Sequence, residues 1–190
     1  MKVRDMLVLN TIELVRRHGV AGTGIAAILE RSGVSRRSIY LNFPHGKTQL
    51  VQEATRAAGD FIDQQIATAL QQPTLQKSLD AFIAGWKEVV AGSDFTAGCP
   101  IAAAGLARSS EPEIADTAGE TFTRWRDAIT TSLRDHGIAK GTARALANTI
   151  LAAVEGAVVM AQAEKSLAPL DDVHRQLRVL LNHHVDRPAH

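Results

Sequence analysis

Ser32-Gly33-Val34-Ser35-Arg36-Arg37-Ser38-Ile39-Tyr40-Leu41-Asn42-Phe43-Pro44 is the stretch on which the reading of this chain turns. Its pattern is that of the turn and second helix of a DNA-reading helix-turn-helix. Gly33 suits the left-handed residue that stops one helix, and Ser35 is placed to N-cap the next. Ile39 and Phe43, four apart, supply a buried stripe, while Arg36, Arg37, Tyr40 and Leu41 fall on flanking and opposite faces. Pro44 restricts the residue before it, so the helix ends near Phe43. What results is a helix of about two and a half turns that turns cations, hydroxyls and one aromatic outward, as a helix seated in a major groove must.

The charge distribution agrees with that placement. Residues 1–50 carry eight Lys/Arg against three acids, whereas residues 51–190 carry thirteen against seventeen, within a chain of net charge +1. A basic head on a mildly acidic body points to a polyanionic partner for the head alone. A solvated basic surface would have the same composition. Position favours the polyanion, because Arg36 and Arg37 stand on the helix that the spacing nominates.

Around this stretch the pattern is helical throughout. Residues 3–18 make a first helix closed by Gly19, Thr23 is placed to cap a second carrying Ile25, Ile28 and Leu29, and a longer helix runs from near Lys47 to Leu70. Further helices are predicted over 74–91, 100–108, 112–136, 140–165 and 169–184, separated by breakers such as Gly98-Cys99-Pro100 and Glu111-Pro112. No alternating strand and no repeat is found, so the fold is all-α: a three-helix DNA-binding domain over 1–50 and an effector-binding and dimerisation domain over 51–190. No apolar run reaches the roughly 18 residues that span a bilayer, and the N-terminus lacks the apolar core of a signal peptide. Cys99 is alone, which excludes an internal disulfide framework. A cytoplasmic protein without a membrane partner is expected.

Each outward group on the head has a physical task. Arg36 and Arg37 suit bidentate donation to guanine or a clamp on phosphate. The hydroxyls of Ser35, Ser38 and Tyr40 suit phosphates that fix the register, Leu41 suits a thymine methyl, and Asn42 is a further candidate contact. Lys47, a cation in the first turn of a helix, opposes the macrodipole, and a phosphate bound there would reverse the sign.

The spaced run Gly19 … Thr23-Gly24-Ile25-Ala26-Ala27-Ile28 … Ser32-Gly33-Val34-Ser35 … Ser38-Ile39-Tyr40 … Phe43-Pro44 … Lys47 … Leu50 resembles the N-terminal signature of the tetracycline-repressor (TetR) family over residues 1–55. The Phe43-Pro44-His45-Gly46-Lys47 junction, and Gly98-Cys99-Pro100-Ile101 before an alanine-rich helix, are similar to its LmrA-like branch. That resemblance implies a homodimeric, ligand-responsive transcriptional regulator, most often a repressor of drug-efflux or oxidoreductase genes. It places phosphate contacts on Thr23, Tyr40 and Lys47 and base readers on Arg36, Arg37 and Leu41. Arg37 stands where the family often has glycine, and His45 replaces a glycine common in this branch.

The body carries less residue-level information. A small hydrophobic or cationic effector is expected, and apolar and aromatic candidates for its site are Phe82, Trp86, Phe95, Cys99, Ile101, Phe122, Trp125 and Met160. Glu155, in a strongly apolar segment, is either a ligand contact or satisfied within the protein. For the dimer seam the expected residues are Ile150, Val154, Ala157 and Val158 on the 140–165 helix and Leu177 and Leu181 on the 169–184 helix, although the same stripes would serve as a core pair within one subunit. His183, His184 and His190 form a polar terminus, and the histidines show no metal-ligand spacing. No HExxH, P-loop, GxSxG or paired-carboxylate motif is present, so neither catalysis nor a cofactor is expected. The competing reading is a helical small-molecule binder that has lost DNA function, and Arg36, Arg37, Tyr40 and Lys47 argue against it.

Overall fold

Nine α-helices and no strand occur among residues 1–185, the part of the chain that this computed structural model describes; His190 lies outside it. In order they are α1 Val3–Gly22, α2 Ile25–Ser32, α3 Arg36–Asn42, α4 Gly46–Leu70, α5 Leu75–Gly92, α6 Pro100–Gly105, α7 Pro112–Asp135, α8 Lys140–Glu164 and α9 Ala168–Val185. The predicted boundaries at 47–70, 112–136 and 140–165 differ from these by one residue at an end. Gly19 does interrupt the first helix: at φ 69° and ψ 176° it puts a kink in α1, beyond which one further turn reaches Gly22.

Chain contacts divide the protein into two units. One holds Met1–Phe61 and Cys99–Phe122, and the other Ile62–Gly98 and the residues from Thr123 onward. The predicted division at residue 50 falls inside α4, and α6 with the first half of α7 joins the N-terminal helices. In the first unit Leu7 and Leu14 of α1, Ile28 of α2, Ile39 of α3, Phe43 and Leu50 close one core, with Val8, Ile25 and Val34 packed on it. Fully burying side chains of this size is worth about 1.5–3 kcal/mol each, which is what gives so short a helix as α3 a fixed direction.

The second unit is built on α5, α8 and α9, joined by the second half of α7. Leu79, Ile83, Trp86 and Val90 of α5 are buried, as are Trp125, Ile129 and Leu133 of α7. The six expected seam residues, Ile150, Val154, Ala157, Val158, Leu177 and Leu181, are all buried within the single chain. The stripe therefore belongs to the subunit's own core, and the dimer assignment of those six is corrected. The opposite face of α8 is left open: Val159 and Met160 are 62% and 52% exposed, and Val179 of α9 is 63% exposed. By length and composition α8 could cross a membrane, contrary to the sequence expectation, yet 44% of its most apolar window is buried inside this protein.

Polar ties hold α5 to α9. Asp80 accepts from Arg178 Nη1 at 2.6 and 2.7 Å and pairs with His174 Nε2 at 2.7 Å. Lys87 is paired with Asp171, and Gln76 donates to Asn182 at 2.8 Å. Burial pushes the Asp80 carboxyl up, but the hydrogen bonds and charges of Arg178 and His174 outweigh it and hold it below the ordinary 3.8. The hydrogen bond from Lys87 lowers Asp171 likewise.

Candidate nucleic-acid interface

The local geometry of the head follows from its capping residues. Gly33 closes α2 at φ 68°, and its N–H donates to the Leu29 carbonyl at 2.9 Å. A side chain at that φ would be strained, whereas glycine is not. Ser35 then N-caps α3, its Oγ accepting from the Ser38 N–H at 3.2 Å and lying 3.0 Å from Ser38 Oγ. Ile39 and Phe43 are fully buried, and that fixes the outward face. On it stand Arg36 and Arg37, both exposed, with Tyr40 49% and Leu41 70% exposed. Among the described residues no ion pair holds either arginine. Two adjacent unpaired guanidiniums beside an exposed aromatic and a leucine make a surface for a polyanion with readable edges.

Two calls on this surface change. Thr23 is fully buried and donates its Oγ1 to the Gly19 carbonyl at 2.7 Å, while Gly24 occupies the N-cap of α2 without a side-chain bond. Thr23 thus closes the kink of α1 and offers no side-chain surface to a phosphate, so it is withdrawn as a cap and as a DNA contact. Asn42 is half-buried and donates Nδ2 back to the Ser38 carbonyl at 2.8 Å, a bond that spends one of its donors on its own helix.

The turn into α4 brings Tyr40 and Lys47 to one place. Gly46 is buried at φ 70°, and a Cβ there would lie 3.3 Å from Tyr40 Cε1. The ring edge therefore rests against the backbone that leads into Lys47. Gln49 accepts from the His45 N–H at 3.0 Å, capping the helix start. Lys47 is half-buried, its Nζ 3.7 Å from Glu111 Oε1, and Thr48 Oγ1 donates to Glu111 Oε2 at 3.2 Å.

Arg4 was counted in the sequence only as a charge, yet it fixes the far end of α3. Its Nη1 donates to the Asn42 carbonyl at 2.5 Å, its guanidinium lies 4.5 Å from the Phe43 ring centroid, and it pairs with Glu53. A cation on the last carbonyls of a helix favours the macrodipole. Neither this nor the Glu111 contact has a local signal, since each joins residues dozens apart in the chain.

The effector candidates do not converge. A cavity of about 40 Å³ in the second unit is lined by Ile66, Leu70, Leu79, Phe82, Ile129 and Leu133, with Ser78 and Ser132 among its neighbours. Of the candidates only Phe82 is among the described lining residues. Trp86 and Trp125 are core, and Phe95 sits in a turn at φ 58°. Cys99 caps α6 by accepting from the Ala102 N–H at 3.4 Å, and Ile101 is buried in α6. Phe122 and Glu155 are half-buried. Met160 faces outward and is corrected as a pocket residue. Among the described residues no group of three His, Cys, Asp or Glu is placed to hold a metal.

Comparison with known proteins bears on both parts. Residues 8–54 match the bacterial regulatory proteins of the tetR family, and residues 76–176 match the C-terminal domain of LmrA/YxaF-like transcriptional regulators. An uncharacterized HTH-type transcriptional regulator of Mycobacterium tuberculosis is 36% identical over 184 residues, covering 94% of this chain and 93% of the relative. The HTH-type transcriptional regulator LmrA of Bacillus subtilis is 26% identical, covering 88% and 90%. Among solved structures, a TetR transcriptional regulator from Legionella pneumophila shares the fold at a TM-score of 0.85 and 17% identity, covering 95% of this chain and 97% of its own. The regulatory protein TetR from Rhodobacter sphaeroides does so at 0.83 and 21%, covering 91% and 95%.

Proposed function

The chain belongs to the TetR family of transcriptional regulators, which bind operator DNA as dimers and are not enzymes, and from that premise we propose that it is a homodimeric cytoplasmic repressor released from its operator by a small apolar effector. The observation that carries the DNA half is the face of α3, where Arg36, Arg37, Tyr40 and Leu41 stand exposed over the buried Ile39 and Phe43. Reading assignments follow from chemistry: Arg36 and Arg37 to guanine edges or phosphate, Leu41 to a thymine methyl, and Tyr40, Lys47, Ser35 and Ser38 to phosphates, with Asn42 supporting from the rim.

A single head reads few bases, and two heads read two half-sites. The open face of α8, Thr149, Ala152, Gly156, Val159 and Met160, together with Val179 of α9, supplies an apolar surface for the two-fold partner. A Cβ at Gly156 would meet nothing within 4 Å in the subunit, so the free chain leaves room for a close helix approach there.

The effector half rests on the cavity's lining and not on its size: at about 40 Å³ it is far below the roughly 300–1,000 Å³ of small-molecule sites, so a ligand must enlarge it on entry. Among the described residues no acid lines it, and Ser78 Oγ is buried there without a hydrogen-bond partner. That chemistry favours a small neutral ligand with one hydrogen-bonding group over a cation. Repression then ends when the ligand binds the DNA-free conformation better than the DNA-bound one. The test is a gel shift on DNA upstream of the protein's own gene, with excess random DNA as competitor, while neutral apolar compounds are titrated. A discrete shift that a saturable compound weakens is expected. Saturable ligand binding with no DNA affinity at low salt would instead identify a helical small-molecule binder.

A further inference from the structure

We propose that Glu111 competes with operator phosphate for Lys47 and Thr48, so that an acid from the LmrA/YxaF-like region weakens the DNA grip of the head. The inference rests on the DNA-reading function above and adds to it an antagonist of binding within the chain itself. Glu111 lies outside residues 8–54, which match the DNA-binding family, and inside 76–176, which match the C-terminal one. It is nevertheless part of the same compact unit as the head.

Its backbone is held on both sides. The Glu111 N–H donates to the Ala107 carbonyl at 2.8 Å, and its own carbonyl accepts from Ile114 and Ala115 N–H at 3.1 and 3.2 Å. The residue thus stands at the start of α7, just before Pro112, with its side chain directed at α4. One carboxylate oxygen lies 3.7 Å from Lys47 Nζ, and the other accepts from Thr48 Oγ1 at 3.2 Å. A second tie further along the helix pair, Gln52 Nε2 to Thr117 Oγ1 at 3.4 Å, keeps α7 beside α4. Glu53, further along α4, is engaged by Arg4 and Gln49.

The electrostatics follow from position. Lys47 and Thr48 lie in the first turn of α4, where unsatisfied N–H groups and the macrodipole favour an anion. In the free protein Glu111 supplies that anion. A phosphate placed on Lys47 and Thr48 needs the same two donors and meets the carboxylate as a like charge. While Glu111 stays paired, Lys47 adds little net charge to the DNA and releases little of its counterion atmosphere.

The test compares wild type, Glu111→Gln and Glu111→Ser by fluorescence anisotropy on the upstream duplex and on a scrambled duplex, from about 50 to about 200 mM salt. Gln keeps an acceptor for Thr48, and Ser supplies a residue suited to the position before Pro112; circular dichroism confirms the fold of each. Removing the carboxylate is expected to tighten binding by about two- to fivefold per head on both sequences, the range a surface ion pair supports. The salt slope should steepen by up to about 0.9 per head. Lys47→Ala should cost more in the Glu111→Gln background than in the wild type. Unchanged affinity and slope in both variants beside a wild type that binds would overturn the proposal, and weaker binding would show that Glu111 positions Lys47 for phosphate instead. A wild type that binds neither duplex at low salt would refute the DNA-reading function itself, a result separate from a silent Glu111.

Discussion

The outward face of α3 and the outward face of α8 are both left open by the subunit, and they teach different things. On α3 the exposed residues are two arginines, a tyrosine and a leucine over a buried Ile39 and Phe43. Their partner is written in their chemistry, because the phosphate backbone is the same for every operator. Over residues 149–160 of α8 the exposed residues are small or apolar, and so are the buried ones. Apolarity all round a helix says that both sides are covered, and it does not say by what.

The sharpest way to break that comparison is a pair of neighbours on α8. Val158 is 1% exposed, so Val158→Glu puts an unpaired charge in the core and should cost about 3–5 kcal/mol, which lowers the melting temperature by roughly 6–20 °C. Val159→Glu and Gly156→Glu lie on the open face. They should leave the melt of the subunit intact while size-exclusion chromatography shows a monomer. If Val159→Glu remains a dimer, the partner surface lies elsewhere.

On α3 the expected effect is smaller and selective. Arg37→Ala should lose about 1–3 kcal/mol on the operator and relax preference at one base position, if its guanidinium reads guanine. Equal losses on operator and random DNA, measured by competition binding, would assign Arg37 to phosphate.

The least effect belongs to the α5–α9 tie, which serves neither face. Asp80 has a folded pKa below its ordinary value, so it adds stability that is present above about pH 4 and lost as pH falls through the folded value. Asp80→Asn should therefore be less stable than wild type at pH 7, and the difference should shrink in acid. Urea midpoints for the two proteins between pH 7 and pH 3 check this; a constant gap would show that the carboxylate's charge contributes nothing.

Helix positions were legible in the sequence because breakers such as Gly33, Pro44 and Glu111-Pro112 act locally, through backbone geometry. The outward face of α3 was legible for the same reason: two buried residues four apart fix its rotation. Thr23 misled because a threonine just ahead of a helix can serve as its cap or close the turn behind it, and here Gly24 takes the N-cap while Thr23 bonds back to Gly19. The seam on α8 misled because the stripe with Ile150, Val154 and Val158 has the period of an interface and the burial of a core. Glu111 and Arg4 had no signal at all, since their roles arise from contacts that only the folded chain creates.

The most direct measurement is quantitative footprinting on the DNA upstream of the protein's own gene, with wild type and Val159→Glu side by side. The account predicts two protected half-sites about 34–36 Å apart, or a multiple of that spacing, occupied together by the wild type and only at much higher concentration by the variant. Protection without discrete half-sites, or equal protection by both proteins, would contradict a two-fold regulator that reads its operator through α3.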